Sequence, residues 1–408
     1  MQPAAAIADV FRAERARVLA TTIRACNGDF ELAEEAVQDA FEAALARWPN
    51  EGFPDEPRHW LISVARNKVV DQIRRRVKLR DIVGELDRAD ELARDPNPVA
   101  DDRLRLIFTC CHPAIASEAQ VALTLRTLGG LTTEEIARAF VTSPITMAQR
   151  LVRVKTKIRD AKIPYEVPEA AELPARLDAV MAVIYLIFNE GYAATSGDEW
   201  LRRDLSREAI RLGQLLVELV ADVADLRLAG EPRGLLALML LHDARKGTRT
   251  DERGDVVLLE DQDRSRWDRA QIDEALALVP QALRGGGPYA LEAAIAALHC
   301  SAPRAADTDW SQIAAIYAER YRRAPSPIVE LNRAVAVAMS EGPAAGLALV
   351  EPLEPALGEY HLWHATRADL LRRLGKHKQA AAAYRAALAR VGSDPERRFL
   401  ERRLASLA

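Results

Sequence analysis

The sequence predicts an all-α protein, and three observations carry that expectation. Hydrophobic residues make up 49% of the 408 positions while aromatics make up only 5%, and Ala, Leu and Arg are abundant, a mix that favours helices over packed strands. Apolar positions recur at three- and four-residue spacing through long stretches, as in helices with one buried face. Pro and Gly gather in short breaks between those stretches. The length fits two or three domains. No apolar run reaches the ~18–20 residues of a membrane span, and the N-terminus lacks a basic segment followed by an apolar one. Four cysteines exclude a disulfide scaffold. A cytoplasmic protein with no membrane partner is expected.

The first helix runs over residues 5–24, with Ile7, Val10, Phe11, Ala16, Val18, Leu19 and Ile23 apolar, until Asn27-Gly28-Asp29 breaks it. Asp29 caps a second helix to about Trp48, whose stripe is Leu32, Ala36, Val37, Ala40, Phe41, Ala44 and Leu45. Pro49 to Pro57 reads as a loop. A third helix, His59 to about Lys78, turns Trp60, Leu61, Val64, Ala65, Val69 and Ile73 inward and leaves its bases on the other faces. Residues 81–102, with Asp95-Pro96-Asn97-Pro98, read as a linker. A second helical cluster spans 103–162. Ile163 to Pro168 separates it from a further region, also mostly helical.

Charge is segregated along this order. Residues 28–57 carry a net charge of −8, 58–80 a net +7, 81–102 a net −6 and 138–162 a net +6. One charged run is usually a solvated helix face. Two basic blocks alternating with two acidic ones suggest two polyanion-binding surfaces and two surfaces with another purpose.

The second basic block holds a helix-turn-helix pattern. Thr132-Thr133-Glu134-Glu135 places a cap before first-turn acids. After a short break at Val141-Thr142, Ser143 can cap and Pro144 can open the next helix. In residues 144–160, Ile145, Leu151, Val154 and Ile158 can pack. Ser143, Thr146, Gln149, Arg150, Arg153 and Lys157 are the candidate DNA contacts, the early ones for base edges and the later ones for phosphates. An ordinary helical hairpin with a basic face is the competing reading. In the first basic block, Arg58, His59, Trp60, Arg66, Asn67, Lys68, Arg74 and Arg75 combine an aromatic ring with cations, as single-stranded nucleic acid requires. There the bland reading is a core tryptophan among solvated arginines.

The order of these parts resembles the sigma-70 family of bacterial transcription initiation factors, in its minimal extracytoplasmic-function group, over about residues 8–162. Glu31 to Phe41 is similar to the segment that docks on core RNA polymerase, which implies roles for Glu34, Glu35, Gln38, Asp39 and Phe41. Pro57 to Asp71 is similar to the promoter-melting and −10 helix, and Leu131 to Arg159 to the −35 reader. The family's turn usually has Gly where this chain has Val141. The resemblance implies a region 2-like domain over 1–80, an acidic linker over 81–102 that threads the polymerase's RNA channel, and a region 4-like domain over 103–162. Its partners would be core polymerase and promoter DNA, with no cofactor.

Cys110-Cys111-His112 invites a metal reading, but neighbours on a helix diverge by about 100°, and no second Cys/His pair lies nearby. A structural role is expected, with no metal site. Residues 163–408 form the extension. Leu374 to Leu388 resembles a tetratricopeptide repeat, and a fainter copy starts near Asn332. Gly342 and Gly375 stand 33 apart, close to that repeat's ~34-residue period, which marks 328–395 as repeat-like and suited to protein binding. A plain helical bundle is the alternative. Polar clusters at Asn189, Glu190 and Tyr192, at His242, Asp243 and Arg245, and at Asp261, Gln262, Asp263 and Arg264 are candidate regulatory sites. A small-molecule sensor or an enzyme with its site in 170–300 is the competing class, though P-loop, Gly-x-Ser-x-Gly and His-Glu-x-x-His patterns are missing from the sequence. The extension also resembles the long helical tail of one sigma-factor subgroup, which implies regulation and a small YCII-related protein as a possible partner.

Overall fold

Left-handed turns and side-chain caps set the helix boundaries. The computed structural model describes residues 3–80, 102–140, 142–169, 171–192, 199–221, 225–251, 255–392 and 394–407. The acidic linker, apart from Asp102, and Val141 lie outside the described residues. Among those described, every regular element is a helix, and one isolated bridge joins Thr250 to Val256. The described chain forms two compact units, residues 1–187 and 188–408. The expected junction near 163 lies inside the first.

In the first unit, α1 (Pro3–Ala25), α2 (Phe30–Glu51) and α3 (Pro57–Arg80) pack together. Asn27 and Gly28 take φ of 54° and 86°, and Asp29 then caps α2 by accepting from Leu32 N–H at 3.0 Å. The α2 helix passes through Pro49, where a loop was expected, and ends when Gly52, at φ 88°, closes its N–H on the Trp48 carbonyl. A proline this close to the C-terminus forfeits one ladder bond and leaves the earlier turns intact. Leu19, Ile23, Phe41, Leu61, Ala65 and Val69 fill the core. Leu45, expected in the apolar stripe, is 52% exposed.

Four helices follow: α4 (Arg103–Cys110), α5 (Ser117–Thr127), α6 (Thr133–Ala139) and α7 (Pro144–Asp160). Thr132 and Glu135 form a reciprocal capping box before α6, with N–H to side-chain oxygen distances of 2.7 and 3.2 Å. Met147, Leu151, Val154 and Ile158 bury one face of α7. Ile145, expected to pack, is 72% exposed, and Met147 takes the inward place. The thiols of Cys110 and Cys111 are buried against the Thr127 and Thr124 hydroxyls, at 3.4 and 3.7 Å. Burial raises both thiol pKa values, that of Cys111 to about 12. The next helix, α8 (Leu173–Tyr192), crosses the junction of the units.

In the second unit, α9 (Glu199–Leu219), α11 (Arg269–Gly285) and α12 (Pro288–Ser301) pack on α10 (Leu226–Asp243), buried from Gly234 to Leu241. Gly234 makes this contact possible: a Cβ there would sit 2.6 Å from the Ala290 nitrogen. One turn earlier, buried Glu231 accepts from the N–H groups of Tyr289 and Ala290, at 3.0 and 3.1 Å. A carboxylate from α10 therefore satisfies the first turn of α12, where orphan donors and the helix dipole favour negative charge.

The remainder comprises α13 (Trp310–Arg323), α14 (Pro327–Ser340), α15 (Pro343–Val350), the short α16 (Glu354–Leu357), α17 (His361–Arg373), α18 (His377–Leu388) and α19 (Asp394–Ala405). The pairs α14/α15 and α17/α18 each turn at a glycine of positive φ, Gly342 at 103° and Gly375 at 73°. Their core gathers Leu331, Ala334, Trp363, Leu371, Ala380, Tyr384 and Ala387, and Trp363 donates its indole N–H to the Val350 carbonyl at 2.9 Å.

Replacing Glu231 by Ala should strand the Tyr289 and Ala290 donors and lower unfolding free energy by about 2–3 kcal/mol. Glu231→Gln, which keeps one acceptor, should lose less. Urea titration of both variants checks the order.

Candidate nucleic-acid interface

The α2 face expected to meet the polymerase divides in two. Glu31, Glu35, Gln38, Glu42 and Leu45 are exposed at helical spacing, and Gln38 donates to Glu42 at 3.0 Å. Asp39 is half-buried and lies 3.4 Å from Lys68 of α3, so one candidate polymerase contact touches one candidate −10 contact. Glu34 is also half-buried, and its Oε2 lies 2.5 Å from Lys155 Nζ on α7. Phe41 corrects the expectation. It is 5% exposed and packs edge-on against Phe11, ring centroids 4.8 Å apart, so it supports the face from inside.

At the start of α3, Trp60 is half-buried, with its ring 5.3 Å from that of Trp48, which in turn lies 5.1 Å from Phe53. This cluster fixes the ring partly inside the protein. Trp60 is therefore not the free stacking platform its type suggested. Arg58 Nε, His59 Nε2 and Trp48 Nε1 are buried without a hydrogen-bond partner, a cost that a bound acceptor would relieve. Asn67 and Arg74 are exposed, Arg66 and Lys68 half-buried. The side chain of Arg75 lies outside those described.

On α7, Ser143 is the N-cap. It accepts from Thr146 N–H at 3.1 Å, and the two hydroxyls are 2.8 Å apart. Thr146, Gln149, Arg150, Arg153 and Lys157 come together along one side of a groove of about 270 Å³, closed by Ile115, Ala116 and Ala119. Gln149, Arg153 and Lys157 are exposed. Arg150 is half-buried, paired with Glu118 at 3.1 Å and set 5.9 Å over the Phe140 ring. Sequence reasoning missed Glu118, on α5, and Phe140, in the turn that follows α6.

The second unit joins two of the three polar clusters. Asp243 accepts from Ser206 at 3.2 Å, from Lys246 at 2.8 and 2.9 Å and from Gln271 at 3.2 Å. His242 Nδ1 lies 2.8 Å from an Arg245 nitrogen. The Thr248 hydroxyl, absent from the sequence-based candidates, bridges the clusters. It accepts from the Trp267 indole at 3.0 Å, donates to the Arg245 carbonyl at 2.9 Å and lies 3.2 Å from Gln262 Oε1. Arg264 donates to the His299 and Ala302 carbonyls and sits 4.7 Å over the Trp267 ring. Asp263 caps its short helix by accepting from Ser265. Asp261 and Glu190 are exposed and Asn189 half-buried. The Tyr192 side chain lies outside those described. Among the described residues no group of three or more His, Cys, Asp and Glu is placed to hold a metal, and no helix is long and apolar enough to cross a membrane.

Residues 11–78, nearly all of α1 to α3, match the family described as Sigma-70 region 2. That segment is thus similar to one region of the sigma-70 proteins. Residues 176–283 match a family of unknown function, DUF6596. Over 390 residues the chain is 44% identical to "Uncharacterized protein R00370" of Rhizobium meliloti (strain 1021), covering 93% of this chain and 91% of that one. The chain belongs to the same family as that protein. No solved structure matches significantly.

The buried imidazoles generate a pH prediction. Burial and then Arg245 lower the pKa of His242 from 6.5 to about 3 and that of His299 to about 4. Below pH 6.5 the unfolded chain binds protons that the folded chain refuses, so stability falls with pH, by about 1 kcal/mol per unit for each group. Thermal melts from pH 7 to 5 should show this decline, and His242→Gln should flatten it. An equal slope in the variant refutes the assignment.

Proposed function

We propose that the chain is a sigma-type initiation factor of the extracytoplasmic-function kind, which recruits core RNA polymerase to a subset of promoters. The observation that carries this reading is the match of α1 to α3 to sigma-70 region 2, followed in the chain by a capped helix-turn-helix with an open basic face. The exposed acids of α2 dock on the polymerase. The start of α3 engages the −10 element, with Asn67 and Lys68 toward the nucleic acid and the Trp48–Trp60 cluster as its rigid wall. The α7 helix enters the major groove at the −35 element, where a helix fits the ~12 Å width. Gln149 and Arg153, both exposed, read bases, and Lys157 holds phosphate. The work is binding and strand opening in the cytoplasm, without bond chemistry in this chain.

Residues 188–408 regulate that activity. The glycine-turned pairs α14/α15 and α17/α18 support a tetratricopeptide-like reading, and stacked pairs of this kind offer protein-binding surfaces. The exposed Asp261 and Glu190 are the control positions. Alanine there should alter transcript output and leave base preference unchanged.

Run-off transcription with core polymerase over a promoter library is the deciding experiment. Arg153→Ala should relax preference at particular −35 base pairs, at a cost of about 1–3 kcal/mol. Lys157→Ala should weaken all sequences alike and reduce the salt dependence. Absence of any promoter-directed transcript with the intact chain would refute the function, and identical base preferences in both variants would refute the −35 assignment.

A further inference from the structure

We propose that the hollow between α14, α17, α19 and the loop 256–261 is a docking groove for an acidic peptide segment of a partner protein, seated by an apolar side chain on Phe399 and Met339 and held at its carboxylates by Arg373 and Arg403. This rests on the reading of residues 188–408 as a protein-binding region. The hollow is about 460 Å³, and Leu258, Val335, Met339, Leu370 and Phe399 give it an apolar lining. A second hollow of about 400 Å³ shares Leu258, Phe399 and Arg403 with it, so the two form one groove. Extended concave surfaces are what stacked helix pairs offer to a partner chain.

The arginines decide what the groove accepts. Arg372 and Arg373 line it from the end of α17, Arg402 and Arg403 from α19. Two of these are already neutralised: Arg372 pairs with Asp369 at 2.6 Å and Arg402 with Asp255 at 2.5 Å. Arg373 and Arg403 form no ion pair with a carboxylate among the described residues. Arg373 is exposed and points its donors at the Ala338 carbonyl, 3.2 Å away, and the Met339 sulfur, 3.5 Å away. Arg403 lies 5.3 Å over the Phe399 ring, a stack that uses the face of the guanidinium and not its N–H edge. Each guanidinium carries five donors in a fork that matches a carboxylate. Two such forks beside an apolar lining call for carboxylates that flank an apolar side chain.

A phosphate backbone fits this groove less well. Glu260 and Asp261, both exposed, also line it, and they repel a chain that is charged at every link. A peptide can space its acids to reach Arg373 and Arg403 and avoid those two carboxylates. One wall of the groove is fixed in advance. Asp255 lies 2.5 Å from both Arg398 and Arg402, with only 16% of its side chain exposed, and a bridge joins Thr250 to Val256. These contacts pin the loop to α19 and keep Leu258 on the groove. A wall ordered before binding spares the complex the cost of ordering it.

The test uses the full chain and a set of fluorescein-labelled peptides that permute Asp, Glu, Leu and Phe, with counterparts carrying Lys for each acid or Ser for each apolar residue. Anisotropy titration should show binding of the acidic–apolar peptides and of neither counterpart. Arg373→Ala and Arg403→Ala should each weaken binding about tenfold, and Met339→Asp should abolish it. Arg385→Glu, at an exposed arginine of α18 outside the groove, should leave it unchanged. Selection of peptides without acids, or equal binding by the Arg373→Ala and Arg403→Ala variants, would overturn the groove and leave a protein-binding region standing. If DNA displaces the peptide with the same dependence on Arg373 and Arg403, the groove takes phosphate and the peptide assignment falls. If peptides bind only once Glu85→Ser, Asp87→Ser, Asp90→Ser and Glu91→Ser are combined, an acidic stretch of this chain is the occupant and the partner assignment falls. If no peptide of any composition binds, the protein-binding reading and this inference fall together.

Discussion

Asp102 has no exposed surface, and everything around it in the first unit is arranged to tolerate that. Its carboxylate is neutralised by Arg24 from α1 and by Arg105 from the next turn of its own helix. An isolated buried carboxylate would cost several kcal/mol, and removing one partner of such a group destabilises strongly. The joint between the region 2-like helices and the helices that follow is therefore a polar one. Tyr165 extends it, with its hydroxyl on the Ala20 carbonyl and its pKa raised by burial. Arg15 adds a guanidinium held at a pKa of about 10 by burial and by Arg126.

What could be read from the sequence was local. The caps of Asp29, Ser143 and the Thr132/Glu135 box depend on residues three apart, and the structure contains all of them. The helical class followed from period and composition for the same reason. Failures occurred where a third dimension decides. Phe41 and Leu45 share one periodic stripe, yet the first meets Phe11 from α1 and the second meets no apolar partner that would cover it. Ile145 opens α7 on the side away from its neighbours, so periodicity misplaced it by one face. Pro49 read as a stop, but a proline in the last turn has little ladder left to break.

The candidate site was legible as residue types and less so as geometry. The basic face of α7 stands together along the groove as spacing suggested, while the pairing of Arg150 with Glu118 depends on α5. Glu34 and Lys155 are 121 positions apart, and no pattern of spacing connects them. In the second unit the clusters near 243 and 262 looked like independent polar islands. Thr248, an unremarked hydroxyl between them, makes them one network with Trp267.

Glu231 carries an implication for where this chain can be cut. The segment that matches a family of its own stops at residue 283, just short of α12. Yet the first turn of α12 draws its acceptor from Glu231 inside that segment, and the backbone at Ala290 abuts Gly234. A gene fusion or excision made at that limit would sever a helix from its own cap. The segment and the helix just beyond it therefore share one packing unit, and a fragment cut at residue 283 would part Glu231 from the α12 donors that it satisfies.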